Sequence, residues 1–284
     1  MNEIKMEISD IVKIDLTKCI KCGKCLRRLD GYCLNEIDGF PSIDRNICNA
    51  CQKCVSVCPS QAITVNDIYP EKIREGKTIS SVDFINVIEK RRSCKQFKAK
   101  EVPEELLKTI ISVAKYAPNQ DKNIKLIVVD NKDTLKRIDE QAIRSVKKYY
   151  DWLFGYKIIT WLCGLFYKKM NVIKKKMERD LVHRKHVIKD NTQVLMILIG
   201  NKRMPAIKGS AYCILTTMMM MTEIVGLSSC FMDSLQLAMN DKKTKKYFGI
   251  SQDVLGVLAI GYSNEDIINI PRGYEIETYR NSFV

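Results

Sequence analysis

The 284-residue sequence predicts an α+β chain of two domains, residues 1–68 and 81–284, joined by a linker over 69–80. Three observations predict it. A cysteine motif occurs twice within the first 58 residues and not again. Charge then becomes uneven: residues 1–68 hold nine Lys/Arg and nine Asp/Glu, whereas 69–284 hold 38 against 24 and carry the entire excess of +14. Beyond residue 80, apolar residues recur at helical spacing or in short unbroken runs, the pattern of helices packed on a buried sheet.

Cys48-Asn-Ala-Cys51-Gln-Lys-Cys54-Val-Ser-Val-Cys58-Pro59 reads C-x2-C-x2-C-x3-C-P, the spacing that holds a cubane iron–sulfur cluster. Three closely spaced thiolates wrap one face of a cluster, and the fourth, set off by a proline, reaches a different one. A second run is therefore required. Cys19-Ile-Lys-Cys22-Gly-Lys-Cys25 lies 29 residues upstream, and Ile14-Asp15 precedes it as Ile43-Asp44 precedes Cys48, so the domain is an internal duplication. Its fourth cysteine is Cys33, after seven intervening residues instead of three and without a proline; the first copy carries a short insertion. Structural zinc would need four ligands and leave the third cysteine of each triplet idle, whereas two triplets plus two outliers match two clusters. On these residues, the stretch from about 10 to 66 resembles the two-cluster [4Fe–4S] ferredoxins of bacteria. The resemblance implies that Cys19, Cys22, Cys25 and Cys58 hold one cluster, and Cys48, Cys51, Cys54 and Cys33 the other.

Gln61–Val65 reads as the short strand that closes this domain, and residues 66–80, with Pro70, Gly76 and mixed charge, as a linker. Ser81 is positioned to cap a helix through Ile88 whose apolar residues fall at helical spacing. That helix runs into Arg91-Arg92-Ser93-Cys94-Lys95-Gln96-Phe97. Three cations and a hydroxyl within five residues make an anion site, with Arg suited to bidentate phosphate contacts. Adjacent helical residues diverge, so Arg91 is expected to matter more than Arg92. A second helix follows Pro103, with apolar residues at 106, 107, 110, 111 and 114, and ends in the polar turn Ala117-Pro118-Asn119-Gln120-Asp121-Lys122-Asn123. Lys125–Val129 then reads as a strand. From the Arg-Arg-Ser segment through this turn and strand, the chain resembles the FMN-dependent nitroreductase family. The resemblance covers about residues 81–284.

Later stretches carry the resemblance further. Val194–Ile199 is an unbroken apolar run suited to a buried strand, and 209–225 reads as an apolar helix with four consecutive methionines, packing in a core or at a dimer contact. Gly226–Ser234 resembles the family's loop facing the flavin ring, with Cys230 structural. Val254–Tyr262 reads as a strand, and Arg272 stands where the family closes its phosphate site. The resemblance implies a mixed sheet flanked by helices, a homodimer and bound FMN. It also implies flavin contacts from Arg91, Arg92, Ser93, Lys95, Met232, Asp233, Ser234 and Arg272, and from the turn, where Asn119, Gln120, Lys122 and Asn123 all remain candidates.

Residues 150–190 form a hydrophobic and basic insertion. Asp151–Tyr167 is apolar almost all round, with both tryptophans, and nine Lys/Arg against two acids follow between 168 and 189. The run is shorter than a membrane span and contains Lys157. It reads as an interface lid over the flavin, or alternatively as a peripheral membrane anchor. No signal peptide opens the sequence, so the twelve cysteines point to a reducing, cytoplasmic protein, with Cys94, Cys163, Cys213 and Cys230 expected as buried thiols. No Gly-rich dinucleotide fingerprint occurs, two histidines give little support to hydrolysis, and the basic segment lacks the aromatics of a nucleic-acid site. The expected function is an iron–sulfur flavoprotein oxidoreductase. It would pass electrons from two [4Fe–4S] clusters to FMN, and on to a nitroaromatic, quinone or unsaturated metabolite. Its donor would be a one-electron carrier such as ferredoxin, or NAD(P)H. The alternative is a module that relays electrons to a protein or membrane partner without a small substrate of its own.

Overall fold

The computed structural model describes residues 11–28, 32–48, 51–73, 75–76, 78–118, 124–155, 170–178, 181, 186–270 and 278, and the chain divides into two units, Met1–Thr78 and Ile79–Val284. In the first unit the duplication is visible in the hydrogen bonds. Cys19 N donates to Asp15 O at 3.1 Å, and Cys48 N donates to Asp44 O at 3.0 Å. The carboxylates of these aspartates repeat a second bond, accepting from Thr17 N at 3.0 Å and from Asn46 N at 2.9 Å. Such local side-chain bonds define the turn that delivers the first cysteine of each run.

Strand β1 (Val12–Ile14) precedes the first run, and the third cysteine of that run lies in helix α1 (Lys24–Arg28). Strands β2 (Leu34–Ile37) and β3 (Phe40–Ile43) follow, then the short helix α2 (Lys53–Ser56) with Cys54, and β4 (Ile63–Val65), antiparallel to β1. The residue after the second cysteine is left-handed in both copies, Gly23 at φ 66° and Gln52 at φ 63°. Glycine adopts that backbone freely and glutamine does not, so the second copy carries strain that the first avoids. The stretch between the two runs folds as the β2–β3 hairpin, closed by Asp38 and Gly39 with both φ values positive. Those values are what a two-residue turn between twisted strands requires. The core of this unit is Val12, Leu34, Val55 and Ile63 packed with the thiols of Cys25, Cys33 and Cys54.

The second unit begins with α3 (Ser81–Lys90). Its cap is Ser80, one residue earlier than the sequence suggested, with the Ser80 side chain accepting from Asp83 N. None of its residues is buried within the chain, and Val82, Phe84, Ile85 and Ile88 all lie open. Helix α4 (Glu104–Ser112) buries Leu107 and Ile110, and β5 (Lys125–Val129) follows. Helix α5 (Lys132–Phe154), capped by Asn131, buries Leu135, Ile138, Ala142 and Ser145 at helical spacing. The stretch read as an apolar insertion therefore starts inside α5, whose last turn includes Trp152. Residues 156–169 of that stretch, with Trp161 and Cys163, lie outside the described residues. After α6 (Met170–Glu178) come β6 (Val194–Gly200), α7 (Ile207–Ile224), β7 (Ser228–Phe231), α8 (Asp233–Met239), α9 (Lys242–Tyr247) and β8 (Asp253–Gly261). The stretch expected as a loop at 226–234 is thus a strand running into the start of a helix.

The sheet has the order β5-β6-β8-β7 and is antiparallel throughout. Among the described residues, parallel pairing is confined to the bridges Ser93–Ser229 and Gln96–Asp190. Strand β6 lies inside the sheet and both its faces are covered. Leu195, Ile197 and Ile199 pack with α5 and α8, while Val194, Met196 and Leu198 pack with α4 and α7. This is why its sequence reads as one apolar run without alternation. Helix α7 buries Ile207, Ala211, Ile214, Leu215 and Met218 on its sheet-facing side, and Cys213 falls on the other and is exposed, contrary to the buried thiol expected. Cys94 and Cys230 are buried.

Phe97, 1% exposed, lies across Gly261, where a Cβ atom would stand 2.9 Å from the ring. Gly261→Ala should therefore displace a fully packed ring at a cost of about 1–3 kcal/mol. Thermal unfolding followed by circular dichroism would register it; an unchanged melt would mean the ring can shift freely.

Candidate functional site

The eight cysteines of the duplicated runs gather into two sets within the first unit. Cys19, Cys22, Cys25 and Cys58 line one cavity, together with Ile14, Gly23, Pro41 and Ile63. The charges each thiol feels divide the same way. Burial chiefly pushes the Cys25 thiol up, with Cys58 and Cys19 adding to it. Burial likewise raises Cys33, with Cys48 and Cys51 as its charged neighbours. Cys54 is pushed up to about 12, mainly by burial and then by Cys48, Cys33 and Cys51. Cys33, the residue with irregular spacing, is buried beside the second triplet. Ala62 N–H donates to Cys58 Sγ at 3.3 Å, a backbone bond of the kind that tunes a cluster's potential. Among the described residues, no three His, Cys, Asp or Glu side chains converge on the position of a single metal ion. A cubane takes one thiolate per iron, so its ligands stand around a volume, an arrangement that the four thiols lining this cavity share.

In the second unit the cation segment is extended. Helix α3 ends at Lys90, and Arg91, its C-cap, already has a non-helical ψ of 121°. The helical divergence that ranked Arg91 above Arg92 therefore does not apply, and both side chains are half-buried. Arg92 Nη1 donates to Arg91 O, while Arg92 Nε is buried and has no hydrogen-bond partner among the described residues. Ser229 Oγ is in the same condition. Ser93 pairs with Ser229 across a parallel bridge, and Cys94 N donates to Ser229 O at 3.0 Å. Two polar atoms that carry a desolvation cost thus stand on bridged segments, one on the extended run after α3 and one on β7, and an anionic ligand there would relieve it. Glu223, near the end of α7, faces the same cations. Burial raises its carboxyl, against the lowering pull of Arg91, Lys90 and Arg92.

The bridge also brings the run after β7 beside the cation segment. Met232 is buried and its N–H donates to Val257 O at 2.9 Å, and Asp233 and Ser234 open α8. The first amides of a helix have no acceptor within it and are available to a ligand. Asn119, Gln120, Lys122, Asn123 and Arg272 lie outside the described residues.

One further group has no signal in the sequence. A cavity of about 340 Å³ is lined by Lys95, His186, Lys189, Asp190 and Glu265 among others. Glu265 Oε1 accepts from Lys95 N and Gln96 N, which fixes the floor of the segment. His186 Nδ1 meets Asp139 Oδ2 at 2.7 Å, and Asp139 Oδ1 accepts from Val187 N at 2.7 Å and Ile188 N at 2.8 Å. Asp139 belongs to α5, 47 residues away in sequence, so no local pattern could pair them.

A family profile described as the nitroreductase family matches residues 88–262, and one described as a 4Fe-4S binding domain matches residues 40–63. Comparison with curated proteins finds no match. Among solved structures, the chain is similar to a nitroreductase with bound FMN from Desulfitobacterium hafniense DCB-2, at 15% identity and TM-score 0.54 over 70% of this chain and 98% of that one. A nitroreductase with bound FMN from Bacteroides fragilis NCTC 9343 gives 16% and 0.54 over 70% and 97%. The FMN-dependent nitroreductase NfnB from Mycobacterium smegmatis, in complex with NADPH, gives 17% and 0.51 over 72% and 100%. At these identities the likeness establishes the fold.

The raised thiols of Cys25, Cys33 and Cys54 set a pH dependence. A thiol held above its usual range stays protonated at neutral pH and must lose that proton to bind metal. Reconstitution of iron-free protein with ferrous iron and sulfide should release protons and give higher cluster yield as pH rises from about 7 to 9. A pH-independent yield in a pH-stat titration would show that these thiols are already ionised.

Proposed function

The chain belongs to the nitroreductase family and also carries a 4Fe-4S binding domain, and from that premise we propose that it is an iron–sulfur flavoprotein oxidoreductase with two [4Fe–4S] clusters and one FMN. The observation that carries the flavin reading is the buried Arg92 Nε, without a hydrogen-bond partner among the described residues, beside the Ser93–Ser229 bridge. Arg91, Arg92 and Ser93 would hold the FMN phosphate, with Arg272 closing the site, and Lys95 would lie toward the ring. One or more of Asn119, Gln120 and Asn123 would contact the flavin from the turn. The amides at Asp233 and Ser234, next to Met232, would supply hydrogen bonds to the ring. When bound, the clusters carry single electrons and FMN interconverts one- and two-electron transfer. The protein's part is to orient the ring and to favour negative charge beside it, through Lys95, Lys189 and the α8 amides.

For the clusters, Cys19, Cys22, Cys25 and Cys58 would form one ligand set and Cys33, Cys48, Cys51 and Cys54 the other. The cavity of the first set and the mutual charges of the second support this division. The electrons would come from a one-electron carrier such as ferredoxin, or from NAD(P)H, and go to a nitroaromatic, a quinone or an unsaturated metabolite. The chain would work as a homodimer, since among the described residues α3 leaves Val82, Phe84, Ile85 and Ile88 exposed. Clusters of this kind suit a reducing, cytoplasmic setting. No helix among the described residues is long and apolar enough to cross a membrane. About half of the expected lid or anchor at 150–190, including all of 156–169, falls outside those residues.

Anaerobic purification followed by flavin, iron and sulfide analysis tests this reading. It should yield one FMN and about eight irons per chain. Zinc in place of iron would sink it. About four irons would leave a single cluster, and cluster-to-flavin transfer without small-molecule turnover would favour the relay module instead. Arg92→Ala should weaken FMN binding about ten- to hundredfold, the equivalent of about 1.5–3 kcal/mol for a charge-assisted contact. Equal flavin retention by variant and wild type in equilibrium dialysis would remove Arg92 from the site.

A further inference from the structure

The His186–Asp139 pair has a geometry that packing alone does not require. Asp139 is buried on α5 and its two oxygens are both committed, one to the amides of Val187 and Ile188 and the other to His186 Nδ1. The imidazole is the opposite case, with a side chain 60% exposed against 11% for the aspartate. One edge of the ring is fixed against a buried carboxylate, and the rest of it lines the cavity shared with Lys95. A carboxylate accepting at Nδ1 keeps the proton there in the neutral ring and leaves Nε2, on the far side of the ring, as the atom that exchanges protons.

We propose that His186, oriented by Asp139, is the proton donor to the acceptor reduced at this site. This rests on the flavoprotein reading above, because Lys95 belongs both to this cavity and to the segment assigned to FMN. Two-electron reduction of a quinone, nitro group or activated double bond consumes two protons. Bound reduced flavin would supply two electrons and one proton; the second proton would leave His186 Nε2 as the new bond to the acceptor's oxygen, nitrogen or carbon forms, and solvent water would return it. Asp139 stabilises the imidazolium that must form before each transfer. Around the ring, Asp139, Asp190 and Glu265 favour that positive charge, and Lys95 and Lys189 oppose it. Histidine is the side chain whose charge changes readily near neutral pH, as a donor used in every turnover must.

His186→Gln should slow acceptor reduction about a hundredfold or more, the usual contribution of a general acid. It should also remove the limb of the pH profile on which activity falls as pH rises, and leave flavin content and flavin reduction by NAD(P)H at wild-type levels. Asp139→Asn keeps an oxygen for the two amides but turns a donor toward Nδ1. Ring-nitrogen NMR, unambiguous once His183→Gln removes the only other histidine, should show the Nδ1–H form in the parent and its loss in Asp139→Asn. Full flavin content with wild-type acceptor rates and pH profile in His186→Gln overturns this proposal alone. An Nε2–H ring in the parent overturns it as well. A wild-type protein that carries no flavin takes down the oxidoreductase reading and this proposal together.

Discussion

The polar end of the larger unit depends on how a short extended segment is tied to the sheet. Between Ser93 and Lys98 the chain has no secondary structure of its own to satisfy its backbone. It borrows partners instead: Cys94 N donates to Ser229 O, Phe97 N to Asp190 O and Lys98 N to Tyr262 O, while Gln96 O accepts from Asn264 N. Buried Phe97 and Cys94 add packing on the same side. Strand β7, strand β8 and the approach to β6 are thereby stitched around one row of cations. Without that stitching, the cations after α3 would be an ordinary solvated helix end.

The smaller unit rests on a different constraint. Among the described residues, three of the seven members of its core cluster are cysteines, and the others are Val12, Leu34, Val55 and Ile63. A unit of this size buries too little apolar surface to be comfortably stable on that basis. Its thiols occupy the place that leucines or isoleucines hold elsewhere, so whatever binds them also completes the core. Metal binding and folding are then one equilibrium for this unit, while the larger unit has two apolar layers independent of any metal.

Local chemistry was the legible part of the sequence. The cysteine spacing and its repeated Ile-Asp flank declared a duplication, and the unbroken run at Val194–Ile199 marked a strand covered on both faces. The Arg-Arg-Ser segment was visible as a cluster of cations, although its extended backbone at Arg91 was not. The Asp38-Gly39 hairpin and the Asn131-capped helix α5 also carry readable local signals, a turn dipeptide and an apolar residue every three or four positions. What could not be read was long-range. Nothing near His186 points to Asp139, and nothing in α3 tells whether its apolar face meets its own chain. Helical spacing predicts a face; the tertiary fold decides what the face meets.

The Ser93–Ser229 bridge has a consequence for solubility. Strand β7 ends the sheet beyond β8, and an end strand with open backbone groups is a template for pairing with other chains. Here part of that edge is occupied by Ser93 and Cys94, so the segment proposed to hold the ligand is also the strand's cover. Conditions that loosen the segment would uncover β7, and a deficit of cofactor during synthesis would then surface first as self-association through the sheet edge, before any loss of the fold.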